Sequence, residues 1–534
     1  MSVINRTVMA GLSPLLRSFD LGCGHPGAVQ EGVFRSLLKA GRDTAFGNEH
    51  GFGEIRDYRE FVRRVPVREY NQFAPYIERL RRGENYVLWN QKVRWFAKSS
   101  GTSSDKSKYI PVTPANLSGC HYKGFKTMLA TYIRRYPDSR LFNGKALTLG
   151  GSVKVDELSG GGARNGDLSA ILLSNSPSVA EIVRTPSRKI AMLPDFRQKI
   201  EGICRVCSKQ NVTNFSGVPS WNLIMIERLL EYNNAQYLTD VWPNLELFMH
   251  GGISFEPYRE RYRRLIPSDR MHYLENYNAS EGYFALQDDP GQKGMALTLD
   301  NGVFFEFIPM RSLDKVLAGE SDEVYTVEEV RTGVRYAMVI TTNSGLWRYL
   351  IGDCVEFTSL CPHRIIITGR TQLYINAFGE ELMIHNAEEA LSEACRECGV
   401  EVTDYTVAPV FMDESHAKGA HQWVVEFSAA SQEAVRDCQA LERFRDALDA
   451  ALCRRNSDYE AKRSWDVTMT KLELTPVPSG TFYRWMDSRG KTGGQNKVPR
   501  LSNDRRFVDE IVKITPADNR ISVVAGDKVF HCCT

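Results

Sequence analysis

Hydrophobic and polar positions follow different periodicities in different parts of the chain. In residues 1–90, apolar side chains recur every three or four positions, as at Phe34, Leu37 and Leu38 and again at Phe73 and Ile77. Spacing of this kind places apolar side chains on one face of an α-helix. The N-terminal stretch is therefore predicted to be mainly helical and to form a packing layer.

Short apolar runs with strand character dominate residues 92–353. The clearest of them are Ala146–Leu149, Leu245–Met249 and Val303–Ile308, and helix-like segments separate them. Strands that alternate with helices in this way are typical of an α/β domain. We predict that this stretch forms the main domain.

The C-terminal part begins after the apolar strand Arg364–Thr368, which runs into Gly369 and Arg370. A hairpin-like segment, a helix from about Asn386 and further strand and helix patterns follow. The remainder of the chain is long enough for a small α+β domain. We predict a hinge near Gly369–Leu373, with one domain at residues 1–368 and a second, mobile one at residues 369–534.

Length and composition agree with a multidomain protein that binds small molecules. A chain of 534 residues exceeds the size that a single core supports. The apolar content of 42%, the charged content of 25% and the net charge of +2 are ordinary, so neither a nucleic acid nor a membrane is indicated as a partner. No membrane-span pattern or signal sequence is evident, and we expect a cytoplasmic protein.

Twelve cysteines are too few for a dense disulfide framework in a chain of this length. Two Cys-x-x-Cys pairs, Cys204/Cys207 and Cys395/Cys398, lie in charged, helix-like contexts. Knuckle glycines and closely spaced partner ligands are missing, which disfavours a joint zinc site. We interpret both pairs as free thiols on helices.

A loop rich in small and hydroxyl side chains spans Lys98–Lys108 between two apolar runs. Its backbone N–H groups and hydroxyls can wrap an anion, and Lys106 and Lys108 add positive charge. Loops of this composition are also common as flexible connections. The Gly-x-x-x-x-Gly-Lys-Ser/Thr order expected of a P-loop kinase is absent. The loop is therefore a candidate phosphate site whose meaning depends on the rest of the chain.

Three downstream segments carry residues that suit the other parts of a nucleotide. Residues 245–252 read as a buried strand that ends in paired glycines, where a flat ring could lie against backbone. Residues 274–283 hold an aromatic ring, a hydroxyl and a carboxylate, which suit adenine, phosphate and Mg²⁺. Asp353 follows a glycine and could accept two ribose hydroxyls. Taken singly, these segments could equally be a strand end, a solvated helix start and a turn.

The order and spacing of these segments resemble the adenylate-forming enzymes, and specifically the acyl-acid amido synthetase family. This auxin-responsive family conjugates plant hormones to amino acids and has bacterial relatives. The segments that carry the resemblance are Lys98-Ser-Ser-Gly-Thr-Ser, Trp242-Pro-Asn-Leu with residues 250–258, Tyr277-Asn-Ala-Ser-Glu281 and Tyr349-Leu-Ile-Gly-Asp353. The resemblance implies a large adenylate-forming α/β domain and a small C-terminal α+β domain joined by a hinge.

Carried over residue by residue, the resemblance implies a site for the phosphates of ATP and for Mg²⁺. Glu281 would bind Mg²⁺, and Lys497 in the basic loop near the C-terminus would reach the adenylation site. The residues that would contact phosphate are Ser99, Ser100, Thr102, Ser103 and Ser280. The plant pattern has glycines where this chain has Ser104 and Asp105, so the Asp105 carboxylate is expected to face solvent.

The same resemblance implies contacts to the adenosine part of ATP. Gly251 and Gly252 would flank adenine, and Tyr277 would contact the adenine region. Asp353 would hold the ribose, and Arg370, next to Gly369 at the hinge, would bind the nucleotide, while Phe378–Glu381 would form the first turn of the C-terminal domain. The hormone-binding positions of plant members have no local match here, so hormone specificity is not carried over.

The reaction implied by the resemblance makes an amide from a carboxylic acid and an amino acid. The acid would attack the α-phosphate of ATP, pyrophosphate would leave, and Glu281-bound Mg²⁺ and Lys497 would stabilise the charge. The amine would then displace AMP after the small domain has rotated. No residue is assigned as the base for the amine, although His250 and His385 are the nearest candidates by sequence context.

Two alternative functions share parts of this reaction or of its nucleotide site. A ligase that transfers the acyl group to coenzyme A or a carrier protein would use the same first step. A nucleotide-binding regulator without catalysis is disfavoured because Glu281, Asp353 and Lys497 all stand at matching positions. The acyl pocket is expected between Lys123 and Met225, while the acid, the amine and the oligomeric state are not identified by sequence.

Overall fold

The computed structural model describes residues 3–99, 108–159, 162–253, 255, 258–371, 374–412, 418–428, 431–432, 434–435, 437–464, 468–489 and 499–515. These residues form two compact units. The large unit contains residues 3–99, 108–252 and 262–371, and the small unit contains the described residues of 253–261 and those from 374 onward. The predicted functional boundary between residues 368 and 369 stays a prediction.

Helices cover the N-terminal stretch, as its apolar spacing predicts. They are α1 (Val3–Gly24), α2 (Pro26–Gly41), α3 (Ala45–Glu49), α4 (Tyr58–Arg64) and α5 (Tyr70–Arg81). The Asp57 side chain caps α4 by accepting a hydrogen bond from the Glu60 N–H at 2.9 Å. Phe34 of α2 packs on Phe61 of α4 and on Phe304, with ring centroids 5.1 and 5.0 Å apart. These helices therefore form the packing layer that the sequence predicts.

A mixed sheet of eleven strands lies at the centre of the large unit. In spatial order its strands are β12 (Val303–Pro309), β13 (Arg335–Thr342), β14 (Tyr349–Leu360), β15 (His363–Arg370), β11 (Met295–Leu297), β10 (Gly282–Leu286), β9 (His272–Ala279), β8 (Leu247–His250), β7 (Val212–Gly217), β3 (Lys145–Thr148) and β6 (Arg184–Thr185). Neighbours from β12 to β9 are antiparallel, and those from β9 to β6 are parallel. The predicted strands correspond to β3, β8, β12 and β15.

A smaller sheet and further helices complete the large unit. The sheet has the order β2 (Lys108–Val112), β1 (Trp95–Ser99), β5 (Arg164–Gly166) and β4 (Val153–Val155). A π-helical turn at Leu117–His121 lies between two helices. The helices that follow β2 are α6 (Pro114–Asn116), α7 (Tyr122–Arg135), α8 (Leu168–Asn175), α9 (Ala180–Val183), α10 (Arg188–Ala191), α11 (Phe196–Cys207), α12 (Pro219–Asn233), α13 (Leu238–Val241), α14 (Arg259–Leu265) and α15 (Leu313–Leu317). The first three residues of α14, 259–261, are counted with the small unit.

The small unit is an α+β structure, as predicted. Its strands are β16 (Tyr374–Ile375), β17 (Leu382–Met383), β18 (Val402–Val410), β19 (Ala420–Phe427) and β20 (Glu473–Val477), and β19 lies between β18 and β20. Its helices are α16 (Ile384–Cys398), α17 (Cys438–Arg455), α18 (Ser457–Arg463), α19 (Thr481–Ser488) and α20 (Arg506–Ile514).

The two Cys-x-x-Cys pairs lie on helices, as their sequence context predicts. Cys204 and Cys207 are in the last turns of α11, and Cys395 and Cys398 are in the last turns of α16. All four are free thiols. Across the described part of the chain, no helix is long and apolar enough to cross a membrane.

Candidate nucleotide-binding site

A tight turn between β9 and β10 carries two of the predicted site residues. Ala279 pairs with Gly282, so Ser280 and Glu281 form a two-residue hairpin connection. The Asn116 side-chain amide donates to the Glu281 carbonyl oxygen at 3.4 Å and helps to fix this turn. Glu281 is only 7% exposed. The alternative reading of this segment as a solvated helix start is therefore wrong.

Three residues from separate strands meet beside this hairpin, and we call them the Asp353 cluster. The Tyr277 hydroxyl of β9 donates to Asp353 Oδ2 of β14. Arg370 of β15 forms an ion pair with Asp353 through Nε and Oδ1 at 2.9 Å, and its guanidinium also donates to the Ile351 carbonyl at 3.2 Å. The structure thus brings together three residues that the sequence places in one nucleotide site.

The backbone of β14 forms a bulge around Asp353. The pairing of β14 with β13 shifts register between Leu350 and Cys354, and Gly352 within this bulge has a φ of 95°. A non-glycine residue would be strained at that φ, which explains the glycine before Asp353. The apolar stretch does not end at Asp353, because β14 continues through buried Val355 to Leu360.

Burial and charge set the protonation of this site. Burial raises the pKa of Glu281 above its ordinary value, while the positive charges of Lys108 and Arg370 oppose the rise. Burial, together with the negative charge of Asp353, raises the pKa of Tyr277 well above its usual range. The Tyr277 hydroxyl therefore stays protonated and remains a hydrogen-bond donor.

The predicted phosphate loop is described only at its two ends. Ser99 ends β1 and pairs with Lys108, the first residue of β2. Lys108 is buried, and its Nζ lies 5.9 Å from the centre of the Tyr70 ring. The residues outside the described part, or whose side chains are outside it, are Ser99, Ser100, Thr102, Ser103, Lys106, His385 and Lys497. Their proposed contacts stay predictions.

The paired glycines follow β8 as predicted, and packing explains the first of them. A Cβ atom at Gly251 would lie 2.3 Å from the Asn276 carbonyl oxygen, so any larger residue would push β8 away from β9. Gly252 has a φ of 84°, which favours glycine. Asn276 Nδ2 also donates to the His250 carbonyl at 2.9 Å. A contact of Gly251 and Gly252 with adenine stays a prediction.

Two buried polar residues near the hairpin were not assigned from sequence. The Tyr349 hydroxyl has no hydrogen-bond partner in the described part of the chain, and burial followed by the charge of Glu281 raises the pKa of Tyr349. His121 of the π-helical turn contacts Asn278 of β9 at 2.9 Å. Tyr349 stands in a segment that carries the resemblance, whereas no local motif marks His121.

The donor set at Glu281 fits a metal ion that is shared with a substrate. Over the described ranges, no group of three or more His, Cys, Asp or Glu side chains could hold a metal by itself. Mg²⁺ needs only one or two carboxylates when phosphates and water supply its other ligands. The unpaired Tyr349 hydroxyl gives the site a further donor that a hydrated ion or a phosphate could use.

Comparison with known families matches most of the chain to one family. Residues 15–271 match the GH3 family N-terminal domain, residues 296–370 the GH3 family central domain, and residues 385–506 the GH3 family C-terminal domain. The three matches follow one another in chain order. The central-domain match includes Asp353 and Arg370, whereas Tyr277, Ser280 and Glu281 lie between the first two matches.

Curated proteins that are similar to this chain include two amido synthetases from plants. The chain is 23% identical to the indole-3-acetic acid-amido synthetase GH3.3 of Arabidopsis thaliana, over 88% of this chain and 89% of the relative. It is 24% identical to the jasmonoyl-L-amino acid synthetase JAR4 of Nicotiana attenuata, over 93% of this chain and 95% of the relative.

Solved structures share the fold of the whole chain. The acyl acid amido synthetase GH3.15 in complex with 2,4-DB superposes with a TM-score of 0.58 at 17% identity, covering 96% of this chain and 97% of that protein. A 2-hydroxyisobutyryl-CoA ligase in complex with 2-HIB-AMP and CoA superposes with a TM-score of 0.52 at 13% identity, covering 96% of this chain and 93% of that protein. Both confirm the predicted arrangement of a large α/β domain with a smaller C-terminal domain.

Proposed function

Because the chain belongs to the GH3 family, it is an ATP-dependent ligase that joins a carboxylic acid to an amino acid, and we propose that Glu281 and the Asp353 cluster form its adenylation site. The observation that carries this proposal is the meeting of Tyr277, Asp353 and Arg370 beside a buried glutamate. Asp353 and Arg370 face each other on the adjacent strands β14 and β15, while Tyr277 comes from β9, which is distant in sequence.

Asp353 is suited to hold the ribose of ATP. Its carboxylate already accepts a hydrogen bond from Tyr277 and forms an ion pair with Arg370, and these two contacts orient it. A carboxylate with this orientation can accept hydrogen bonds from two neighbouring hydroxyls. We expect the α-phosphate of a nucleotide held here to lie near the Ser280–Glu281 turn, because the charges of Asp353 and Glu281 are close enough to interact.

Glu281 is suited to share Mg²⁺ with the phosphates of ATP. Bound there, Mg²⁺ would neutralise charge on the phosphates as pyrophosphate leaves. The pKa of Glu281 is raised mainly by burial, so the protein compensates the charge of this carboxylate only in part. Lys497 and the hydroxyls of Ser99, Ser100, Thr102 and Ser103 complete this proposed phosphate site.

The two steps of the proposed reaction balance without any other reactant. A carboxylate oxygen attacks the α-phosphorus, the bond to the bridging oxygen breaks, and pyrophosphate departs to leave an acyl-adenylate. The amine then attacks the acyl carbon, the bond to the phosphate oxygen breaks, and AMP departs. Transfer to coenzyme A is the alternative for the second step, and the family match favours the amide.

The substrates that we propose are a small carboxylic acid and an amino acid, with the cytoplasm as the compartment. The names of two relatives indicate indole-3-acetic acid and jasmonate as their acids. An acyl pocket between Lys123 and Met225 would decide which acid this chain accepts.

The proposal is tested by product analysis. Purified protein is incubated with ATP, Mg²⁺, a pool of aryl and aliphatic carboxylic acids and the twenty amino acids, and the products are read by mass spectrometry. AMP together with an N-acyl amino acid supports the proposal. AMP without an amide, but with a thioester once coenzyme A is added, would move the chain to the alternative. Absence of acid-dependent ATP–pyrophosphate exchange across the pool would contradict both.

A further inference from the structure

The π-helical turn Leu117–His121 holds both strands of the hairpin that carries Glu281. The Tyr283 N–H of β10 donates to Cys120 Sγ at 3.1 Å. On the other strand, His121 Nδ1 donates to Asn278 Oδ1 at 2.9 Å. Turns of this type are rare within helices and are frequent at functional sites. The turn therefore places a histidine against the strand that leads directly into the proposed phosphate and metal residues.

The hydrogen bond to Asn278 determines the tautomer of His121. A side-chain carbonyl oxygen can only accept, so Nδ1 carries the proton and Nε2 keeps a free lone pair. His121 is 2% exposed, and its Nε2 atom has no partner in the described part of the molecule. Leaving such an acceptor unpaired costs about 1–3 kcal/mol. Burial lowers the pKa of His121 to about 4, so the ring is neutral at pH 7.

Resting on the proposed function, we propose that His121 Nε2 accepts an N–H of the amino acid that attacks the acyl-adenylate. A free lone pair on a buried, neutral ring calls for a donor, and the amine is the donor that must also lose a proton when the amide forms. As the C–N bond forms, the C–O bond to phosphate breaks and its electron pair leaves with AMP. The amine proton passes to Nε2 and then to water.

A weakly basic imidazole is sufficient for this step. The attacking nitrogen becomes cationic as the C–N bond forms, and a proton on that nitrogen is far more acidic than one on a free ammonium group. The base therefore does not need to deprotonate the amino acid before attack. Asn278 links His121 to the proposed site, because it precedes the Ser280–Glu281 turn by two residues.

The test replaces His121 with asparagine and compares it with a matched histidine. Asparagine keeps an N–H near the Nδ1 position, which can still donate to Asn278, and has no atom at the Nε2 position. His363 of β15 is also buried, and it donates from Nε2 to the Val327 carbonyl at 2.7 Å. Its Nδ1 has no partner among the described residues. His363→Gln keeps the Nε2 position and is the control.

Two half-reactions are measured with the acid that gives the fastest ATP–pyrophosphate exchange in the product screen. We expect exchange by His121→Asn to stay within about twofold of wild type. Single-turnover amide formation from the enzyme-bound acyl-adenylate, with a saturating mixture of the twenty amino acids, should fall roughly 10²- to 10⁴-fold. The ratio of the wild-type to the variant rate of amide formation should become smaller as the pH rises, because hydroxide then replaces the missing base. His363→Gln should leave both half-reactions within about twofold of wild type.

Three results would overturn the role of His121. Equal losses in both half-reactions would show that the residue only supports the hairpin. Unchanged amide formation would show that Nε2 does not contact the amine. A defect of constant size across pH would exclude proton transfer. If wild-type protein shows no exchange with any acid, the proposed function itself fails, and that outcome is separate from all three.

Discussion

Two buried glutamates, Glu281 in the large unit and Glu380 in the small unit, have opposite surroundings. The Glu380 carboxylate accepts hydrogen bonds from the Ala377 N–H at 3.1 Å and the Phe378 N–H at 2.6 Å, and it pairs with His421 Nε2 at 2.7 Å. Burial raises the pKa of Glu380, but these partners outweigh burial and hold it below the ordinary value. Burial instead dominates at Glu281 and raises its pKa.

The difference separates a carboxylate that stabilises the fold from one that is available for a ligand. The negative charge of Glu380 is compensated within the small unit. The charge of Glu281 is only partly compensated by Lys108 and Arg370, so a divalent cation would find a favourable place there. Both residues lie in segments with turn character, and nothing in their local sequence distinguishes them.

The largest effect is expected from Glu281→Gln. Acid-dependent ATP–pyrophosphate exchange should fall on the order of 10³-fold, because a metal ligand contributes several kcal/mol to charge stabilisation. The thermal midpoint at pH 7 should rise, because the substitution removes a buried charge that the protein compensates only in part. Exchange at the wild-type rate, measured at saturating Mg²⁺, would remove Glu281 from the site.

The opposite pattern is expected from Glu380→Gln. Breaking a buried, hydrogen-bonded pair with His421 should destabilise the small unit by about 3 kcal/mol. Hydrogen exchange at the Ala377 and Phe378 amides should accelerate accordingly. Glu389→Gln is the control, because its ion pair with Arg455 at 2.7 Å is half exposed and should contribute less than about 1 kcal/mol. If the Ala377 and Phe378 amides were equally protected from hydrogen exchange in the two variants, Glu380 would not stabilise the small unit more than Glu389 does.

The two glutamates should also respond to pH with opposite signs. The folded pKa of Glu380 is lowered, so its stabilisation is present above the unfolded value and is lost as the pH falls through the folded pKa. The folded pKa of Glu281 is raised, so stability is lost as the pH rises through that pKa. Thermal midpoints of Glu380→Gln should therefore lie below wild type at pH 7, and those of Glu281→Gln above it.

Measured between pH 4 and pH 7, both differences in thermal midpoint should shrink toward the acid end, near and below the ordinary glutamate pKa. Differences of the same sign for both variants would show that the two carboxylates are not distinguished by their surroundings.

A smaller effect is expected from Tyr277→Phe. This variant tests whether hydrogen bonds from the protein hold Asp353 in place, as they do Glu380. Loss of the hydroxyl donor to Asp353 should weaken ATP binding about tenfold, because a hydrogen bond to a charged group contributes about 1.5–3 kcal/mol. Equilibrium dialysis with a non-hydrolysable ATP analogue measures it. Tyr283→Phe loses only a contact with the Met128 sulfur at 3.2 Å and should bind normally.

Sequence patterns predict the elements of this protein better than the contacts between them. The helix period identifies α2 and α5, and short apolar runs identify β3, β8, β12 and β15 to within two residues. The resemblance to the acyl-acid amido synthetases also implies that Tyr277, Asp353 and Arg370 belong to one site, and the three side chains do meet in the structure. Their role as a nucleotide site stays a prediction.

The contacts themselves depend on sheet order and could not be predicted. Asp353 reaches Tyr277 only because β14 and β15 join the sheet on the side of β11 and β10, a pairing that no local pattern encodes. His121 falls on a helical apolar face, and burial alone does not reveal which ring nitrogen lacks a partner. The bulge at Gly352 likewise breaks the simple alternation that strand prediction relies on.

The position of β15 in the central sheet has a consequence for how the chain is made. β15 pairs with β14 on one side and with β11 on the other, so it connects the two parts of the antiparallel half of the sheet. A chain that is still being synthesised leaves β11 and β14 as open edges until His363–Arg370 has left the ribosome, and open edges invite aggregation. The proposed ATP site would therefore be assembled late, and fragments that stop before residue 363 should precipitate rather than bind nucleotide.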